Sequence, residues 1–199
     1  NQLGITNHNI LATTKWVIDK SLNNLNAIRF GGEYIYSADR NLVQWLYPSP
    51  VVDYSRAYIQ DSYTALFAEG DVYLTNELAG KAGMRLEYSP LLGKWNWAPR
   101  VSAAYKLHHA GQFSLAYGQF YQKPEARYLL QTTQLNFMRA DHYILNYQYQ
   151  PKDRLLRVEA YYKQYNHLIK TNLSLPDNTG KGYARGCELF YRDKKTLPG

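Results

Sequence analysis

The chain has 199 residues and a net charge of +7, and 20 of its residues are tyrosines. Its single cysteine, Cys187, excludes an intrachain disulfide and a zinc site built from several cysteines. Basic residues are scattered and often lie near acids, as Arg85 lies near Glu87, so no basic stripe indicates nucleic-acid binding. No apolar run reaches the roughly 18 residues that a transmembrane helix needs. The opening residues do not resemble a signal peptide, which indicates either a protein that is not exported or, as we favour, an internal piece of a longer chain.

Apolar and polar residues alternate with a period of two along most of the chain, and this pattern predicts β-strands rather than helices. Within 155–165, for example, Arg157 and Glu159 fall on one face, and Leu156 and Val158 fall on the other. The predicted strands, in chain order, are 10–18, 27–38, 62–74, 79–88, 95–107, 112–121, 139–149, 155–165 and 183–192. We therefore expect an all-β fold, an antiparallel up-and-down meander of about nine strands.

Glycine and proline interrupt two of these strands. The adjacent Gly31 and Gly32 predict a bend or a bulge in the second strand, because glycine weakens a strand interior. Pro99 in the fifth strand has no N–H to donate to a neighbouring strand, so it predicts either a bulge or the end of pairing.

The connections between the predicted strands differ in length at the two ends of the sheet. Alternate connections of a meander lie at the same end, and those at one end are short, namely 19–26, 75–77, 108–111 and 150–153. At the other end only 89–94 is short, and three are long, namely 39–61, 122–138 and 166–182. Outer-membrane barrels show this asymmetry, with short periplasmic turns and long extracellular loops.

A strand that crosses a bilayer needs about 9 to 11 residues, which most of the predicted strands provide. This predicts a part of a large transmembrane β-barrel, with apolar residues facing lipid, tyrosines at the head-group level and charged residues lining the lumen.

Five segments, in this order, resemble consecutive strands of the β-barrel of TonB-dependent outer-membrane receptors. They are AGKAGMRLEYS at 79–89, WAPRVSAAYKL at 97–107, FSLAYGQFYQKPEARYL at 113–129, MRADHYILNYQYQPKDRLLRVEAYYKQYNHLI at 138–169 and NTGKGYARGCELFYR at 178–192. The resemblance covers residues 58–195 well and residues 1–57 only loosely. It implies that residues 1–199 form a single partial β-barrel segment of the cell outer membrane, a fragment of the C-terminal half of the barrel. The family has an N-terminal plug domain, an energy-coupling box and a barrel of about 22 strands, and this sequence shows neither the plug nor the box.

The resemblance also implies a function and a set of partners. The intact parent is expected to import a nutrient, either a siderophore, a glycan or a peptide, with energy from the inner membrane. The expected partners are outer-membrane lipid, the missing plug domain and remaining barrel strands of the parent, the TonB complex through the parent, and an unknown nutrient ligand. No nucleic acid and no cofactor are expected.

Catalytic and metal-binding patterns are absent from the sequence. No nucleophile, base and orienting residue stand at a recognisable spacing, so we expect no catalytic residues and no enzyme. His108 and His109 are adjacent in a predicted turn and would point apart, which argues against a metal site.

The expected ligand contacts are aromatic and cationic side chains of the long connections. The candidates are Trp45, Tyr47 and Tyr54 in the first long connection, and Arg127 and Tyr128 in the second. The same side chains would also suit packing of loop against loop, or the head-group level of a membrane.

Two other classes of protein stay open at this point. A soluble, tyrosine-rich β-sheet module that binds a carbohydrate or another ligand would explain the aromatic residues without lipid, although not the long strands and the one-ended loops. A hydrolase on a β scaffold has no supporting residues. If the chain is an open part of a barrel, its two free strand edges predict self-association.

Overall fold

In a computed structural model of the protein, the described residues are 2–23, 25–46, 52–108, 110–171 and 175–194. They form one antiparallel sheet of nine strands in which every strand pairs with its neighbours in sequence. The strands are β1 (Gln2–Ser21), β2 (Ala27–Leu46), β3 (Val52–Tyr73), β4 (Leu78–Ser89), β5 (Lys94–Lys106), β6 (Gly111–Gln122), β7 (Met138–Tyr149), β8 (Arg154–Lys170) and β9 (Asp177–Asp193). A one-turn helix, α1 (Ala126–Leu129), lies between β6 and β7. The predicted all-β antiparallel meander is thus confirmed.

Several strands extend further than their alternation predicted. The prediction of a long connection is therefore wrong for two of the three. The pairing of β2 with β3 continues from Asp39 opposite Ile59 to Leu46 opposite Val52, inside the predicted loop 39–61. Similarly, β8 continues to Lys170 through register shifts near its end. Backbone N–H and C=O groups pair whether or not the side chains are apolar, so this extension leaves no hydropathy pattern in the sequence. The connection at 123–137, between β6 and β7, is the one long connection that remains among the described residues.

The sheet has two unlike faces because the register aligns residues of one type across the strands. Leu66 lies opposite Leu86, and Leu86 lies opposite Trp97, so the three side chains share one face. This apolar face carries large hydrophobic side chains that are exposed in the structure, among them Phe30, Leu66, Met84, Trp97, Val101, Leu115, Tyr143, Leu145, Tyr162 and Leu189. The other face, the charged face, carries Arg85 and Glu87. An exposed apolar surface that crosses a whole sheet requires an apolar neighbour such as lipid.

Tyrosines form a row across the apolar face, toward the end of the sheet that holds the 123–137 loop. The ring centroids of Tyr117 and Tyr143 lie 5.0 Å apart, and those of Tyr143 and Tyr162 lie 6.2 Å apart. Tyr183 extends the row onto β9, with its ring 6.3 Å from that of Tyr162. Tyrosines in this arrangement are typical of the membrane–water interface, where the ring meets lipid and the hydroxyl meets water.

The paired glycines of β2 do not produce a bulge, so that part of the prediction is wrong. The register of β2 with both neighbours is continuous through Gly31 and Gly32. A Cβ atom at Gly31 would lie 2.7 Å from the Phe67 ring on the charged face, and one at Gly32 would lie 2.6 Å from the Trp16 indole nitrogen. The glycines therefore provide room for one aromatic ring on each face of the sheet.

Pro99 marks the end of pairing on one side of β5 only, because β5 stays paired with β4 through Pro99 as far as Lys94. Pairing of β5 with β6 begins at Arg100, the residue that follows Pro99, and continues toward the short-turn end of the sheet.

Among the described residues, no helix is long and apolar enough to cross a membrane.

Candidate functional site

A buried carboxylate, that of Asp61 on β3, organises the loop end of the sheet. Both of its oxygens accept from the Ser89 hydroxyl, at 3.2 and 3.1 Å, and one accepts from the Leu91 backbone N–H at 3.3 Å. The Lys123 ammonium donates to the other oxygen at 2.7 Å. Because Leu91 belongs to the β4–β5 turn and Lys123 begins the β6–β7 loop, one side chain holds both connections to β3. Such a charge-assisted network resists opening, since a buried carboxylate without partners is costly.

The β6–β7 loop builds a small apolar core of its own at this end. Leu129, Leu135 and Phe137 are buried against Ile59 of β3 and Leu92 of the β4–β5 turn. Their burial resembles that of residues inside a soluble domain, although the sheet itself exposes large apolar side chains. This loop core fixes the position of 123–137 over the end of the strands.

Ion pairs cover much of the charged face. Arg85 donates to Glu33 at 2.7 Å and to Glu87 at 2.7 Å. Closer to the short-turn end, Arg29 pairs with Asp19 at 2.5 Å and with Glu69 at 3.1 Å. A face with this many half-buried charges suits contact with water or with polar groups rather than with lipid.

One pair of polar atoms on this face lacks a hydrogen-bond partner. Oε2 of Glu87 and Nδ2 of Asn96 are both buried without a partner in the described part of the chain, and these two residues lie directly opposite each other across β4 and β5. A group that both donates and accepts, such as a hydroxyl or a water molecule, would satisfy both atoms.

The family model for the TonB-dependent receptor-like β-barrel matches residues 2–194 of this chain. The chain belongs to that family. Receptor barrels of this family are outer-membrane structures. The family is one of receptors and transporters rather than of enzymes.

Solved structures show the same fold at low sequence identity. The ferric enterobactin receptor PfeA of Pseudomonas aeruginosa matches with a TM-score of 0.74 and 14% identity, over 93% of this chain and 33% of that one. The outer membrane transporter YddB of Escherichia coli matches with a TM-score of 0.71 and 14% identity, over 98% and 31% of the two chains. The ferric-catecholate import receptor Fiu, also of E. coli, matches with a TM-score of 0.72 and 13% identity, over 96% and 36%. The chain thus spans about one third of the length of these receptors. No curated protein sequence matches the chain.

The receptor barrel places two of the predicted ligand contacts side by side in the β6–β7 loop. Arg127 is exposed, pairs with Glu125 at 2.8 Å and lies over the Tyr128 ring at 4.7 Å from its centroid. Tyr128 in turn packs against the loop core. Tyr128 thus follows the alternative that the sequence left open, packing of loop against loop. The Arg127 guanidinium, in contrast, is exposed to solvent.

The three other predicted contacts lie within or near residues 47–51, which the structure does not describe. Trp45 falls in β2, where it pairs with Asp53, and Tyr54 falls in β3, where it pairs with Gln44, so neither lies in a loop as predicted. Tyr47 lies outside the described residues. No three His, Cys, Asp or Glu side chains of the described part of the receptor barrel come together in a way that could hold a metal ion.

The residues that sequence reasoning missed are Asp61 and Lys123, which were predicted as ordinary loop residues. They are separated by 62 positions, and nothing in the local sequence pairs them.

At the loop end of β9, beyond the tyrosine row, the Thr179 hydroxyl and backbone N–H donate to Asp177 at 2.6 and 2.8 Å. These hydrogen bonds hold the pKa of the Asp177 carboxyl below its ordinary value, because they favour the charged form.

Proposed function

We propose that this chain forms part of the barrel wall of an outer-membrane transporter that imports a nutrient with energy supplied from the inner membrane. The observation that carries the proposal is the division of one sheet into an exposed apolar face and an ion-paired charged face. The apolar face, with Leu115 and Leu145 as typical members, matches the lipid side of a barrel, and the charged face, with Arg85 and Glu33, matches its lumen.

The proposal requires additional strands. A bilayer offers no water to the backbone, so a membrane-spanning sheet must close on itself to pair every N–H and C=O group. Among the described strands, β1 and β9 each pair on one side only. Residues 1–199 then act as a partial barrel segment, and the remaining strands, a plug domain in the lumen and the TonB complex are the partners expected in the parent.

Cargo is proposed to meet the receptor first at the loop end. The Arg127 guanidinium, held over the Tyr128 ring, offers a cation and an aromatic surface on a loop that the Asp61 network keeps in place. Trp45 lies near the end of β2 and Tyr54 near the start of β3, at the same end of the sheet. These two residues and Tyr47 are proposed as further contacts. The cargo class is a siderophore, a glycan or a peptide. The matched PfeA structure contains enterobactin, which favours a siderophore.

Deletion of the gene for the full-length receptor tests this proposal. We expect the deletion to abolish uptake of one ferric siderophore, glycan or peptide from a panel, and we expect plasmid complementation to restore that uptake. A strain that lacks TonB should show the same loss, because import by such a receptor depends on energy from the inner membrane.

Membrane fractionation supplies the second test. We expect the receptor to remain with the outer-membrane pellet after a urea wash, and purified material to migrate differently on electrophoresis before and after boiling, as folded barrels do. Release of the protein into the soluble fraction would contradict the proposal and favour a soluble β-sheet module that binds a ligand.

A further inference from the structure

A recess lies on the outer side of the sheet at its short-turn end, where the chain turns from β7 into β8. It has a volume of about 620 Å³ and is lined by the end of β7, the turn at 150–153, the start of β8 and the facing part of β9. Cavities of this size are large enough for an organic ligand.

One wall of the recess is aromatic and apolar. Tyr149 lies opposite Leu156, and Leu156 lies opposite Tyr191, so the three lining side chains form one row across β7, β8 and β9. Tyr191 is exposed and is two positions from Leu189, which places the row on the apolar face. This wall therefore belongs to the side of the sheet that meets lipid in the proposed barrel.

The row forms a second aromatic level on this face, far from the tyrosine row at the loop end. On β9, Tyr191 follows Tyr183 of that row by eight positions. Eight residues of an extended strand span about 27 Å, close to the roughly 25 Å height of the apolar band of an outer-membrane barrel. Because aromatic residues flank such a band at both interfaces, the recess lies at the second membrane–water interface, the one at the short turns.

The other wall of the recess is charged. Lys152, Asp153 and Arg154 line it and are exposed. Arg154 pairs with Asp193 at 3.1 Å, and the Tyr191 hydroxyl donates to the same carboxylate at 3.2 Å. Within the described residues, neither Lys152 nor Asp153 takes part in an ion pair. The recess thus has an ammonium and a carboxylate at its edge, both without an ionic partner.

The backbone at Lys152 is unusual for a lysine. Its φ angle is 46°, in the left-handed region, and the turn closes with the Arg154 N–H donating to the Pro151 carbonyl at 3.1 Å. Glycine or asparagine adopts this conformation at lower cost. A lysine here places its ammonium at the tip of the turn despite that cost, and such backbone strain is frequent at ligand contacts.

The two unlike walls select the chemistry of the ligand. A molecule that fills the recess needs an apolar part for the row of Tyr149, Leu156 and Tyr191 and a polar part for the turn. The polar part needs an anionic oxygen for the Lys152 ammonium and an N–H donor, best a charged one, for the Asp153 carboxylate. A purely anionic head group would meet like charge at Asp153.

We infer that the recess is a binding site for a phospholipid whose head group carries a phosphate and a primary ammonium, as phosphatidylethanolamine does. Lys152 binds the phosphate, Asp153 accepts from the ammonium, and Tyr149, Leu156 and Tyr191 contact the glycerol and the first methylenes of the acyl chains. The short turns of such barrels face the periplasm, so the bound lipid belongs to the periplasmic leaflet. The inference rests on the proposed function only for the position of the barrel in the outer membrane.

The test is native mass spectrometry of the purified, delipidated full-length receptor in detergent. The probes are phosphatidylethanolamine, phosphatidylcholine and phosphatidylglycerol with identical acyl chains. We expect phosphatidylethanolamine to bind about tenfold more tightly than the other two, because only its head group joins a phosphate to an ammonium with N–H groups.

The double variant K152N/D153N removes both charges and preserves the turn, since asparagine tolerates the left-handed region. We expect it to bind phosphatidylethanolamine about tenfold more weakly than the wild type. K152R/D153E, which keeps both charges, should retain most of the affinity. Altered migration on electrophoresis before and after boiling checks that each variant is folded.

The matched control is Lys20→Asn. Lys20 is an exposed lysine near the short-turn end of β1, and it lies opposite Ile28 on the same face of the sheet but outside the recess. This variant should bind phosphatidylethanolamine as the wild type does. Equal losses in Lys20→Asn and K152N/D153N, or unaltered affinity in K152N/D153N, would overturn the inference. Tighter binding of phosphatidylglycerol than of phosphatidylethanolamine would also overturn it.

Nutrient uptake by cells that produce K152N/D153N is measured in parallel and is expected to match that of the wild type. A receptor that imports its nutrient but has no preference for phosphatidylethanolamine would refute the lipid site and leave the transport proposal intact. A receptor that binds the lipid as expected but imports no nutrient would do the reverse.

Discussion

The Asp61 carboxylate and the Lys123 ammonium are joined by a 2.7 Å hydrogen-bonded ion pair across 62 positions of the sequence. The Asp61 side chain is 2% exposed and that of Lys123 is 29% exposed, so the pair is largely buried where the β6–β7 loop meets the sheet. It attaches the β6–β7 loop to the strand on which the β4–β5 turn is also anchored.

Replacement of Asp61 by alanine is expected to loosen both connections. The change removes the acceptor of Ser89, Leu91 and Lys123 and should cost about 2 to 4 kcal/mol, because buried donors are left without partners. Limited proteolysis of the folded receptor should show new cleavage within 123–137. The control is Glu125→Gln in the same loop, where an exposed ion pair with Arg127 contributes little. Equal protease resistance of Asp61→Ala and the wild type would contradict this role.

Truncation of the loop core is expected to act locally. Leu135→Ala should destabilise the packed form of the loop by about 2 to 5 kcal/mol, because Leu135 is almost fully buried beside Phe137. Hydrogen exchange should rise in 123–137, while the strand amides keep their protection. Increased exchange throughout β6 and β7 would show that the loop core and the barrel wall are one cooperative unit, against our expectation.

Glycine positions of the sheet should differ sharply in their tolerance of alanine. A Cβ atom at Gly31 would lie 2.4 Å from the backbone oxygen of Trp16, whereas the nearest atom to one at Gly70 is 3.9 Å away. We expect Gly31→Ala to destabilise the folded receptor by about 1 to 3 kcal/mol through overpacking. Gly70→Ala should stay near the wild type. Urea denaturation in detergent micelles provides the measurement, and an equal shift in both variants would refute the steric explanation.

Adjacent residues of β6 offer a test of which face meets lipid. Leu115 lies on the apolar face and is 60% exposed, and Ser114 lies on the charged face. Leu115→Arg should destabilise the receptor in lipid bilayers by about 2 to 4 kcal/mol, as charges near the bilayer midplane do. Ser114→Arg should have a much smaller effect, because its side chain enters the lumen. Equilibrium unfolding in vesicles measures both, and a larger loss for Ser114→Arg would reverse the assignment of the faces.

The sequence predicted the strands better than the connections. In β4 and β5 the alternation of Met84 or Val101 with charged neighbours located each strand to within one residue at either end. In β2 and β3 the same reasoning ended the first strand too early and began the second too late, because the pairing of the two strands continues as far as Leu46 opposite Val52.

The candidate site was predicted only in part. Arg127 and Tyr128 are conspicuous in a loop sequence, and the structure brings them together. The pairing of Asp61 with Lys123 was not predicted, since each looks like an ordinary polar residue of its own segment.

The sequence by itself determined the class of fold, the number and order of the strands, and which residues of each strand share a face. These properties are local, because the side chains of a strand alternate whatever the strand pairs with. Only the tertiary structure decided the register, and with it the Asp61–Lys123 pair. Register depends on the backbone pairing of segments that are distant in sequence, and no window of neighbouring residues contains that information.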